Sequence, residues 1–158
     1  MSRRSPAQLA VPSGQPDASA GPPVIRTRNR MVYVGDDDAS GLIYFPAYFQ
    51  YMSEGEQDLF AELGFPVHEQ IAARVTSPTV HVECDYLAPA RAGDLLLHRV
   101  QLTLGRRSSM ASEHEFLCGD VVVARGRLVR AWVDLDRMRS VEVPAGFRAA
   151  ACEAATEP

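Results

Sequence analysis

The chain has 158 residues, 46% hydrophobic and 23% charged, the composition of one globular domain with a substantial core. A formal net charge of −4 excludes the broad basic face that general nucleic-acid binding needs. No apolar run approaches the roughly 18 residues of a membrane-spanning helix, so neither nucleic acid nor membrane is an expected partner and the expected location is cytoplasmic.

The three cysteines, Cys84, Cys118 and Cys152, are odd in number and form no CxxC pair. That pattern fits reduced thiols, with Cys84 and Cys118 packing on strands. The histidines form no HxxxH or HExxH pattern. His81 and Glu83 share one face of a strand, but two ligands do not make a metal site, so no metal and no cofactor are expected.

In chain order, residues 1–24 are rich in Pro, Ser, Gly and Ala. Arg3 and Arg4 are followed only by the short apolar segment Leu9-Ala10-Val11, too little for a signal peptide, and a disordered extension is expected. A single domain is expected over 25–148. Ile25 to Val34 reads as a first strand, its more apolar face carrying Ile25, Thr27, Asn29, Met31 and Tyr33. A turn with three consecutive acids, Asp36, Asp37 and Asp38, comes next. It reads either as a solvated acidic turn or as carboxylates held beside the positive end of a helix.

From Pro46, a favoured residue at a helix start, Phe49, Met52, Phe60 and Leu63 recur at helical spacing, with Tyr48, Tyr51 and Leu59 widening the stripe. Gly64 and Pro66 mark the stop. This predicts one helix of about five turns, apolar enough to be mostly buried. A short helical turn is expected around 68–74. Thr79 to Leu87 alternates as a half-buried strand, Leu95 to Leu104 is a second, Ser109 to Cys118 a third, and Gly119-Asp120 is a two-residue hairpin signal. Val121 to Asp134 reads as a long last strand, and the tail 149–158 as flexible. One long helix followed by antiparallel strands is an α+β arrangement, and a helix this apolar needs a sheet curled around it.

Gly35-Asp36-x-Asp38-x-x-Gly41 followed by Ile43-Tyr44-Phe45-Pro46-x-Tyr48 resembles the 4-hydroxybenzoyl-CoA thioesterase family. Arg106-Arg107-Ser108-Ser109 and Arg137-x-Arg139-x-x-Glu142-Val143-Pro144 resemble that family's later motifs in the same order, so the resemblance spans about residues 26–148. It implies the hotdog fold, an antiparallel sheet wrapped around a central helix, and hydrolysis of an acyl-CoA thioester by a homodimer or homotetramer with sites between subunits.

The resemblance implies that Asp38 is the catalytic carboxylate, as nucleophile or as general base for water; the residues leave both open. Backbone N–H groups at the helix start would form the oxyanion hole, with Phe45 the matching position and Gly41 letting the backbone approach closely. Tyr48 falls in the same motif. Arg106, Arg107 and Arg139 would grip the phosphates of CoA, with Arg137 an equally good partner to Arg139. Ser53 and Leu97 stand where the family's naming enzyme holds its substrate's hydroxyl, which points to a more apolar aryl or medium-chain acyl group here. Glu54 and Glu56, in the helix, are rival carboxylates; Glu56 falls on the apolar stripe and would need a partner. Two other readings stay open. One is a thioesterase acting on acyl-carrier protein, and the other is a non-catalytic acyl-thioester-binding protein.

Overall fold

The computed structural model describes residues 21–156, so all but the last four residues of the extension expected over 1–24 lie outside the described residues, and Val24 is already a buried residue of the first strand. The chain runs β1 (Val24–Met31), α1 (Ala47–Glu62), α2 (Val67–Ala72), β2 (Val75–Thr76), β3 (Thr79–Tyr86), β4 (Leu95–Leu104), β5 (Ser109–Cys118), β6 (Val121–Ala131), β7 (Val133–Asp134), β8 (Arg139–Ser140) and α3 (Ala145–Thr156). Five strands form one antiparallel sheet in the order β1-β4-β5-β6-β3, and α1 packs on it. Three short strands, β2-β7-β8, form a second sheet. No helix among the described residues is long and apolar enough to cross a membrane.

The helix follows its stripe. Pro46 caps it, and Tyr48, Tyr51, Met52, Leu59 and Phe60 are buried, each less than 4% exposed. Gly55 sits mid-helix, where Gly costs about 1 kcal/mol relative to Ala. The His98 ring presses against it, and a Cβ there would collide with His98 Cε1. The core divides along α1 into two clusters. One is centred on Phe60, Trp132 and Phe147, the other on Tyr48, Tyr51, Met52 and Phe116. Cys84 and Cys118 pack against the second, as expected of apolar thiols.

Several details differ from the expectations. The face of β1 that meets α1 is not the more apolar one: it carries Arg26, Arg28 and Arg30, while Ile25 and Met31 are exposed. Glu62, Asp58 and Glu54 of α1 answer these arginines in turn. Two strand residues advance about 6.6 Å and four helix residues about 6 Å, so the two ladders stay in step. The expected long strand 121–134 breaks at Trp132, whose N–H is drawn to the Ser108 carbonyl (2.8 Å). Only β4, β5 and β6 form a meander; β3 crosses to the outer edge of β6.

β3 is also less covered than its alternation suggests, with Val82 and Tyr86 39% and 47% exposed. The expected flexible tail is instead the body of α3. Phe147 and Ala151 are buried in the core, and Phe147 packs edge-on against Phe60, Phe65 and Trp132. Alanine-rich stretches are strong helix formers once one face finds cover.

Candidate active site

The acidic turn divides its labour. Asp36 Oδ2 accepts the Tyr33 N–H (3.0 Å) and the hydroxyl of buried Tyr51 (2.7 Å), with Arg30 3.5 Å away. Asp37 Oδ1 accepts the Gly35 N–H (3.0 Å). Asp38 is exposed, and its carboxylate is held only locally, by the Ser40 hydroxyl and the Ser40 N–H (2.7 Å to Oδ1). Those two donors, the hydroxyl first, draw its pKa below the ordinary carboxylate value. Two acids therefore build the turn, and the third presents an ionised carboxylate to solvent. Gly41 closes the turn with φ +75° and an N–H bond to the Asp38 carbonyl (3.0 Å). Nothing lies within 4 Å of where its Cβ would be, so within this chain Gly41 is required by backbone conformation rather than by close approach.

Asp38 N–H donates to the carbonyl of Leu42 (2.9 Å), and Leu42 lines an apolar cleft of about 470 Å³ together with Ile43, Phe45, Tyr48, Tyr86 and Leu87. No charged side chain lines it. Burial pushes the Tyr48 phenol up to about 12, so it stays protonated. At the cleft wall the Tyr44 N–H is used by the Asp36 carbonyl (2.8 Å) and the Ala47 N–H by the Tyr44 carbonyl (2.8 Å). The Phe45 N–H between them donates to no group among the described residues.

Leu97 does not join this cleft. Along β4 its neighbours Leu96 and His98 face α1 and are fully buried, so Leu97, 39% exposed, points to the opposite face of the sheet. The two-residue alternation of a strand forces this. Ser53 lies on α1, half-buried, with its Oγ accepting from Gln57 Nε2 (3.3 Å), and the structure does not bring the two together.

Arg106 and Arg107 lie in the β4–β5 turn, Arg139 in β8, and all three are exposed. The Val143 N–H bonds the Arg107 carbonyl (2.8 Å), so the two motifs share one end of the molecule. Arg137 is tied to Asp134 (3.4 Å). The Asp38 turn is at the other end: β1 closes on the first residue of β4, through the pair Met31 and Leu95. Ten residues of β4, roughly 33 Å, separate the two groups within a chain.

The rival carboxylates are accounted for. Glu54 pairs with Arg30 (3.1 Å) and Arg28 (3.8 Å). Glu56 is 1% exposed and bonds Arg130 Nε (2.6 Å) and the Ser112 hydroxyl (2.6 Å). Ser112 Oγ lies 2.8 Å from His114 Nε2, and His114 Nδ1 lies 2.9 Å from His98 Nε2. Since Ser112 must donate to the carboxylate, it accepts from His114 Nε2–H, and His114 Nδ1 accepts from His98 Nε2–H. Both rings are therefore neutral, and His98 Nδ1 is left buried without a partner.

Burial, the largest cause, holds both histidines well below their ordinary pKa. The unfolded chain takes up these protons as pH falls through about 6.5, whereas the folded chain resists. The histidine contribution to stability is thus complete above pH 6.5 and is lost on acidification. Between pH 7.5 and 5.0 the loss is expected to be on the order of 2 kcal/mol per histidine, read as a lower urea midpoint. An unchanged midpoint at pH 5.0 would contradict the neutral chain.

Reading the residues missed Ser40 and Tyr86. Ser two positions after Asp is a local signal for side-chain bonding within a turn; Tyr86, 41 residues from Phe45, carried none.

Comparison with known proteins agrees with the fold and with the family resemblance. A family model described as "Thioesterase-like superfamily" matches residues 32–151, and the chain belongs to this family of hotdog-fold thioester hydrolases. A 1,4-dihydroxy-2-naphthoyl-CoA hydrolase from Synechocystis sp. is 27% identical over 136 residues, 80% of this chain and 94% of the relative. A 4-hydroxybenzoyl-CoA thioesterase from Pseudomonas sp. strain CBS-3 is 27% identical over 131 residues, 77% of this chain and 93% of the relative. The crystal structure of a 1,4-dihydroxy-2-naphthoyl-CoA thioesterase from Synechocystis superposes with a TM-score of 0.77 at 23% identity, covering 82% of this chain and 96% of that one.

Proposed function

We propose that the protein hydrolyses acyl-CoA thioesters carrying an apolar aryl or medium-chain acyl group, with Asp38 as nucleophile or general base and the Phe45 N–H as an oxyanion donor. One observation carries this reading. An ionised, otherwise uncommitted carboxylate sits on a turn whose far end, Leu42 to Phe45, is the wall of an uncharged cleft of about 470 Å³, within the usual range for small-molecule sites. A thioester carbonyl laid against Phe45 would meet a donor N–H there. Attack, directly by Asp38 or by water that Asp38 deprotonates, builds negative charge on the carbonyl oxygen, and collapse expels the CoA thiolate; by the direct route this leaves a mixed anhydride on Asp38, which water then hydrolyses to the free acid and the restored carboxylate.

The relatives' names specify hydroxylated aryl groups. The cleft here has no charged side chain to hold such a hydroxyl, and the phenols of Tyr48 and Tyr86 that line it offer only neutral partners. A hydrogen bond to a charged group is worth about 1 kcal/mol more than one to a neutral group, or roughly a decade in kcat/KM. Benzoyl-CoA or a medium-chain acyl-CoA is therefore expected to exceed 4-hydroxybenzoyl-CoA in kcat/KM, measured by thiol release. A preference of about tenfold or more for the hydroxylated substrate would overturn the specificity.

The Arg106, Arg107 and Arg139 group serves CoA phosphates in this reading, reached across a subunit boundary. The outer edge of β3 is unpaired in the sheet and flanked by exposed Val82, Tyr86 and Leu87, and such edges favour pairing with a partner. Antiparallel pairing of two β3 strands sets the Tyr86 end of one copy beside the Thr79 end of the other. That brings one copy's Asp38 turn toward the other's arginines. A solution mass of two or four chains fits this; a fully active monomer contradicts it.

A further inference from the structure

We propose that Tyr86 is a positioning residue for the oxyanion donor, an inference that rests on Phe45 N–H serving that role. Phe45 lies between Tyr44, whose N–H and carbonyl are both bonded, and Pro46, which caps α1. Its carbonyl lies outside the helical ladder, and the hydrogen bond recorded to it comes from the Tyr86 hydroxyl, 3.1 Å away on β3. The direction of the Phe45 N–H follows the Tyr44–Phe45 peptide plane, which the Ala47 N–H steadies through the Tyr44 carbonyl (2.8 Å). The next plane, Phe45–Pro46, is steadied by Tyr86. With both planes held, the two soft torsions of Phe45 have little freedom, and the N–H keeps one direction.

The Tyr86 ring is held in turn. It packs against Tyr48 with ring centroids 5.5 Å apart and edge-on to Phe45 at 6.5 Å. Burial raises its phenol pKa to about 12, so at neutral pH the hydroxyl keeps the proton it donates. Phe45 is itself 54% exposed, so burial does not fix its backbone and the Tyr86 bond is its tie to the main sheet. β3 thereby connects the sheet edge to the reacting end of the cleft. A group aimed at developing charge acts through preorganisation: its effect appears in turnover more than in substrate binding.

The test substitutes Tyr86→Phe, which keeps the ring against Tyr48 and removes only the hydroxyl. With benzoyl-CoA, kcat is expected to fall about fivefold to twentyfold and KM to stay within about twofold. The direct readout is the infrared stretch of a ¹³C-labelled thioester carbonyl in benzoyl-CoA, bound to the Asp38→Asn protein with and without Tyr86→Phe. The bound carbonyl should shift to lower frequency than free benzoyl-CoA, and less so in the double variant. Equal shifts in the two proteins, or a raised KM at unchanged kcat, would overturn the positioning role and leave Phe45 as donor. No shift in either would overturn the Phe45 assignment and the Tyr86 inference with it.

Discussion

Asp38→Asn is expected to lower kcat at least about a hundredfold, the lower range for losing a nucleophile or a positioned general base, while the melting temperature stays near that of the unchanged protein. The fold is insensitive because Asn keeps the Oδ1 acceptor for the Ser40 N–H and hydroxyl, and among the described residues the carboxylate is given no ion-pair partner. The chemistry is sensitive because an amide neither attacks a thioester carbonyl nor takes a proton from water. Ser40 favours the ionised form by bonding it, and both candidate mechanisms start from that form. Thiol release and a thermal melt on the same preparation check the expectation. Wild-type turnover with an unchanged melt would remove Asp38 from the chemistry.

Glu56→Ala is expected to do the reverse, with its main effect on stability. Arg130 loses the carboxylate that compensates it while its side chain remains 12% exposed, and breaking a buried pair at one end costs about 3–5 kcal/mol. Ser112 loses its acceptor as well, and the polarity of the chain through His114 and His98 is no longer fixed. Arg130 also holds the Ser77 carbonyl (2.8 Å) just before β3, so the damage reaches the edge strand. At about 2–4 °C per kcal/mol for a domain of this size, the melting temperature should fall on the order of 10 °C. A change of under about 2 °C would mean that Arg130 finds another partner and that the pair is not a structural anchor.

These two carboxylates show where the sequence was legible. The turn, the Pro46 start and the apolar stripe are local patterns, so the acidic turn and the central helix could be placed from neighbours a few residues away, whereas the roles of Asp38, Phe45 and Tyr48 came only through the family resemblance. The arginine face of β1 could not, because its partners Glu54, Asp58 and Glu62 are more than 20 residues downstream, and periodicity alone assigns charges to solvent. The same blindness left Glu56 ambiguous: its need for a partner was visible, but Arg130 and Ser112 arrive only when β5 and β6 pair. Leu97 is a different case. Similarity placed it near the acyl group, whereas strand alternation, set by buried Leu96 and His98, turns it to the other face. The tail was misread because small residues suit a flexible end and a helix equally well; Phe147, seated in the core, decides between them.

The most direct test of the account is kcat on one good acyl-CoA substrate for Asp38→Asn and Glu56→Gln side by side, at a temperature where melts show both proteins folded. The proposed function gives turnover to the exposed carboxylate of the turn and structure to the buried carboxylate of the helix. It predicts a loss of at least about a hundredfold for Asp38→Asn and of less than about tenfold for Glu56→Gln. The opposite order, with Glu56→Gln inactive and Asp38→Asn active, would contradict it.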